Sequence, residues 1–169
     1  MNFNLRDKSI ISLENIMETG IIFNNKVLDV VLISMLSAQL YKLFETLFRK
    51  KKMIWSRLWE TGGMPSSHSS SVVALATAVA ITEGLNSVGF AISAVFAIIV
   101  MYDAAGIRKA AGEHASVINQ LTEFFMTAFD KKFKNEKLKE LLGHSYPEVF
   151  AGAVLGFVVA LLMKGYLLR

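Results

Sequence analysis

The chain is 169 residues long, 53% apolar and only 19% charged, with no Cys. Soluble domains are about 45–50% apolar even with Gly counted, so intrinsic disorder is excluded for the bulk of the chain and a single membrane-embedded unit is expected. Disulfides, thiolate metal sites and a Cys nucleophile are excluded too, and a net charge of +4 in so apolar a chain points to anionic headgroups or phosphorylated substrates rather than to nucleic acid.

Residues 1–26 read as a peripheral segment. Met1 to Gly20 mixes Arg6, Asp7, Lys8, Glu14 and Glu18 with apolar residues, which predicts an amphipathic helix rather than a secretory signal. The remainder, 27–169, is expected to form one all-α, membrane-embedded helical domain with about four transmembrane helices and one polar helix that lies at the interface or within the bundle. The first apolar block, Val27 to Phe48, would span about 33 Å as a helix. Arg49–Lys52 follows, then Thr61-Gly62-Gly63-Met64-Pro65, which interrupts any helix and predicts a loop. Ser66 and Ser67 can cap a second helix that runs to about Leu85. Leu85 to Ala105 carries no charge until Asp103 and is the plainest span. Gly106 to Phe129 is helical in pattern, but Arg108, Lys109, Glu113, His114, Asn119 and Glu123 make it too polar to face lipid all round. Asp130 to Glu140 is a charged, exposed segment. The last span begins at Pro147 and carries Gly152 and Gly156, spaced for close helix contact.

If these spans alternate in direction, the end of the first, the start of the second, the end of the third and the start of the fourth share one face. Lys42 and Arg49, then Ser66, Ser67 and His68, then Asp103 and Arg108, then His144 and Glu148 fall at those ends. Ionisable residues at a membrane edge are costly and tend to face the bundle interior. Two His, several cations and two helix N-termini suit a phosphate, because unsatisfied N–H groups and the helix dipole both favour an anion.

Three stretches now carry a resemblance: Gly62-Gly63-Met64-Pro65-Ser66-Ser67-His68-Ser69, Tyr102-Asp103-Ala104-Ala105-Gly106-Ile107-Arg108, and Leu141-Leu142-Gly143-His144-Ser145-Tyr146-Pro147-Glu148-Val149. From about Gln39 to Leu162 the chain resembles the divergent branch of the type 2 phosphatidic acid phosphatase family, itself related to vanadium-dependent haloperoxidases. The superfamily's motifs are Lys, six residues, Arg-Pro; Pro-Ser-Gly-His; and Ser-Arg, five residues, His, three residues, Asp. Lys42 and Arg49 fit the first in spacing, with Lys50 in place of Pro and Arg57 competing for the Arg role. Pro65-Ser66-Ser67-His68 fits the second, with Ser67 in place of Gly. For the third, Arg108 and His114 have the spacing but Ile118 stands where the carboxylate belongs, while His144 and Glu148 keep the His-carboxylate pair after an insertion.

The resemblance implies a phosphatase acting on a lipid phosphate monoester, phosphatidate-like or polyprenyl, through a phosphohistidine. His144 is favoured over His114 as nucleophile, with Glu148 orienting it and His68 as general acid. Lys42, Arg108, Ser66, Ser67 and either Arg49 or Arg57 would hold the phosphate, with Asp103 supporting Arg108. No metal or cofactor is implied, and phosphate or vanadate is the expected site ligand. Simpler readings stand beside these: Ser145-x-x-Glu148 is also a capping box, His114 a packed helix residue, and the Arg49–Lys52 run a headgroup-binding stretch. A non-catalytic phospholipid-binding or scaffold protein is the alternative function, and a homo-oligomer is compatible with either. Twelve Lys and Arg on the site face (Arg49–Lys52, Arg57, Arg108, Lys109 and five lysines between 131 and 139) oppose Arg6, Lys8, Lys26, Lys164 and Arg169. By the positive-inside rule the site face is expected to be cytoplasmic, in the cell membrane.

Overall fold

A computed structural model describes residues 19–51, 63–129, 138 and 143–169. The N-terminal amphipathic helix, Arg57 and nearly all of the charged 130–140 segment lie outside the described residues. Six helices and no strand occur among the described ones: α1 (Lys26–Lys50), α2 (Ser67–Glu83), α3 (Val88–Ala105), α4 (Ile107–Phe129), α5 (Tyr146–Leu162) and α6 (Lys164–Leu167).

Local chemistry sets their ends. The Asn25 side chain accepts the N–H groups of Val27 and Leu28 to start α1. Ser66 and Ser87 cap α2 and α3 in the same way, through the N–H groups of Ser69 and Phe90. Between those two helices Gly84, at φ 88°, adopts a left-handed conformation that a side chain would disfavour, which lets the chain reverse in a few residues. Gly106 ends α3, its N–H bonded to the Tyr102 carbonyl, and α4 resumes immediately.

Lys26–Phe48 and the stretch Val88–Ala128 are long and apolar enough to cross a membrane. The α2 and α5 helices have 17 residues each, about 26 Å, a little less than a hydrocarbon core of about 30 Å. Large apolar side chains point outward: Leu36, Leu40 and Phe44 on α1, Ile92, Val95, Ile98 and Ile99 on α3, and Phe150, Phe157 and Leu162 on α5 are all exposed. Soluble monomers rarely expose apolar patches beyond a few hundred Å², so this surface suits lipid.

The interior is instead small and hydroxylated. Ala74, Ala78, Ala160, Ser34, Ser66, Ser69 and Ser70 are completely buried. Helices in lipid associate by close packing and interhelical hydrogen bonds, and both occur on α2. Ser34 of α1 meets Ser70 of α2 hydroxyl to hydroxyl at 2.6 Å. On the other flank of α2, Gly152 and Gly156 of α5 sit against the carbonyls of Ser66 and Ser70. A Cβ at either glycine would come within 2.3 or 2.2 Å of those oxygens.

At the end of the bundle away from His144, Asp29 is 2% exposed and accepts the N–H groups of Ile21 and Ile22 as well as the Tyr166 hydroxyl. This carboxylate ties the chain before α1 to α6. Burial, the hydrogen bond to Asp29 and that residue's charge push the Tyr166 hydroxyl up to about 12, so it remains the donor at physiological pH. Tyr166→Phe removes a donor to a buried charge and should cost about 1–3 kcal/mol, read as a lowered Tm in detergent; an unchanged Tm would contradict this role.

Candidate functional site

Two backbone hydrogen bonds assemble the site. The Ser66 N–H, at the start of α2, donates to the Glu148 carbonyl in the first turn of α5 at 3.0 Å. The His144 N–H donates to the Ala104 carbonyl at the end of α3 at 2.9 Å. Three of the four segment ends expected to share a face are thereby joined. The fourth contributor is α1, from which Lys42, 3% exposed, passes beside the turn at Gly63: its Cδ lies 3.9 Å from where a Cβ there would stand.

His144 is also 3% exposed, and its Nδ1 lies 3.1 Å from Glu148 Oε2. The same carboxylate oxygen accepts the Ser145 N–H at 3.0 Å. Capping and histidine orientation, two separate readings of Glu148 in the sequence, are thus carried by one oxygen. Pro147 in the first turn of α5 fits the same geometry, since a missing N–H costs nothing there. His68 is the second residue of α2 and partly buried; its ring centroid is 6.0 Å from that of His144, with the planes at 59°.

The remaining candidates divide. Ser66 and Ser67 are buried at the α2 N-terminus, and the Ser66 oxygen serves as the cap. Asp103, half-buried, precedes the Ala104 whose carbonyl receives the His144 N–H. Arg108 belongs to the first turn of α4 and Arg49 to the last turn of α1; the side chains of both lie outside the described structure. His114 is exposed on α4. The arrangement therefore gathers two imidazoles, a carboxylate, a buried lysine and two helix N-termini, a set whose N–H groups and helix dipoles favour a compact anion.

Sequence reasoning alone does not find Ser34, Ser69 or Ser70, because hydroxyls inside an apolar helix carry no periodic signal. Ser69 and Ser70 leave one visible mark, the density of Ser from 66 to 71.

Fold and surface define an all-helical membrane protein with a histidine-rich polar cluster where its helix ends meet. The chain belongs to the divergent PAP2 family, whose profile matches residues 23–159 and so takes in every described residue of that cluster. It is similar to "Uncharacterized membrane protein YuiD" of Bacillus subtilis (strain 168), with 45% identity over 141 residues, 78% of this chain and 89% of that protein. No solved structure matches it.

Proposed function

We propose that the protein is a membrane-embedded phosphatase that hydrolyses a lipid phosphate monoester through a phosphohistidine. The observation that supports this most is the His144 and Glu148 pair at 3.1 Å with the His68 ring 6.0 Å away, set between the N-termini of α2 and α5. Lys42, Arg108 and one of Arg49 or Arg57, with the Ser66 and Ser67 hydroxyls and the helix N–H groups, hold the equatorial oxygens as charge spreads over them. His144, held at Nδ1 by Glu148, attacks phosphorus through Nε2. A P–N bond forms, the ester P–O bond breaks, and His68 gives its proton to the departing alkoxide, which leaves as the alcohol. His68 then takes a proton from water, the water oxygen attacks phosphorus, the P–N bond breaks, and inorganic phosphate leaves. Asp103 positions Arg108. Four spans, formed by α1, α2, α3 and α5, place this cluster at one membrane edge.

Phosphate release from a panel of lipid phosphates by detergent-purified protein, beside His144→Ala, tests the proposal. Release by the parent chain and none by the variant is expected. No release from any phosphate monoester would favour the alternative, a phospholipid-binding protein, for which the specific observation is a buried Ser67 standing where the superfamily has Gly. Vanadate or tungstate should inhibit competitively, and a chelator should leave turnover intact; strict dependence on an added divalent ion would contradict this mechanism.

The site faces the cytoplasm on the cation count, twelve against five. A Cys placed at Lys134 should react with a membrane-impermeant thiol reagent only after cells are permeabilised. Labelling of intact cells would reverse the orientation.

A further inference from the structure

The lipid-facing side of α3 and α5 holds an apolar groove of about 590 Å³, lined by Ile98, Tyr102, Gly106, Tyr146, Phe150 and Ala153 among others. Pockets that enclose one drug-sized ligand run about 300–1,000 Å³, so the space suits one chain rather than a broad bilayer contact. Its upper end adjoins the polar cluster. Tyr146 follows His144 by two residues, and Ala105 and Gly106 directly follow the Ala104 carbonyl that receives the His144 N–H. Its lower end is reached along both walls: Ile98 lies eight residues before Gly106, about 12 Å along α3, and Ala153 seven after Tyr146, about 10 Å along α5. Tyr102 and Tyr146, both more than 70% exposed, stand at the upper rim, the level at which amphipathic rings settle against headgroups. Ile98 and Phe150, also exposed, continue the groove into the apolar surface that faces lipid.

We propose that this groove binds a single hydrocarbon chain of the phosphate lipid, entering laterally between α3 and α5, and that Ala153 sets the room for it. The inference rests on the phosphatase reading for the identity of the headgroup. A phosphate held by the cluster at the groove's upper end leaves its ester oxygen beside Tyr146 and Gly106, and the first methylenes then have an apolar trough to follow. Small side chains at Ala105, Gly106 and Ala153 make that trough; a large one at 153 would fill its lower part.

The test compares dodecyl phosphate with butyl phosphate in detergent. The parent chain should prefer the dodecyl ester in kcat/KM, and Ala153→Phe should shrink that preference at least about tenfold, since several buried methylenes lose their contacts. An unchanged dodecyl-to-butyl ratio would overturn the groove assignment. Photolysis of the parent chain with dodecyl phosphate bearing a mid-chain diazirine supplies a readout that needs neither turnover nor a folded variant. Adducts on Ile98, Met101, Val149 or Phe150 support the groove even if neither ester is hydrolysed, a result that would count against the phosphatase reading alone. Adducts confined to α1 or α4 would overturn the groove while leaving hydrolysis standing.

Discussion

Replacing His144 with Ala should reduce phosphate release to background, a fall on the order of 10⁴–10⁶, because in the proposed mechanism its Nε2 forms the P–N bond. His68→Ala should behave differently. An acid matters most when the leaving group is basic, so the loss should reach about 10²–10⁴ for an alkyl phosphate and be much smaller for p-nitrophenyl phosphate. His114→Ala should retain activity, in keeping with its exposed position on α4. An inactive His114→Ala beside an active His144→Ala would move the nucleophile to α4 and remove Glu148 from the mechanism.

Gly156→Val and Gly152→Val should be the most damaging substitutions outside the candidate site residues. At each glycine a Cβ would meet a carbonyl oxygen of α2 at 2.2 or 2.3 Å, far inside van der Waals contact, and those oxygens belong to backbone that cannot rotate away. Overpacking of this kind costs about 1–3 kcal/mol or more, and relief requires α2 and α5 to separate. For Gly152 the neighbour is the Ser66 carbonyl, one peptide group from the N–H that binds the Glu148 carbonyl. Its substitution should therefore lower activity as well as Tm, whereas Gly156, one turn deeper, should act on Tm first. Thermal unfolding in detergent, scored beside turnover, separates the two; wild-type Tm for both variants would contradict the packing.

Much of this was legible in the sequence because it is written in local signals. Ser66 before an apolar run and Ser145-Tyr146-Pro147-Glu148 at a helix start each mark a boundary by chemistry that acts over a few residues. The meeting of His68 and His144 was also accessible, since alternating helices bring their ends together whatever their packing. The seating of Gly152 on the Ser66 carbonyl depends on how α5 is rotated against α2, and the Ser34–Ser70 contact on the register of α1; neither leaves a mark within a short window. The role of Asp29 is equally invisible in a short window, because its partner Tyr166 lies 137 residues away. The competition between His114 and His144 had the same origin. Motif spacing favours the first, and only tertiary placement exposes it while burying the second against His68.

The most direct measurement is rapid quenching of the purified protein during turnover of a lipid phosphate labelled with radioactive phosphorus. Phosphohistidine is acid-labile and stable in base, so label should appear on the chain in that form, map to the peptide that contains His144, and vanish in His144→Ala. Label on His114, or steady turnover with no labelled protein at any quench time, would contradict the assignment of His144 as the nucleophile.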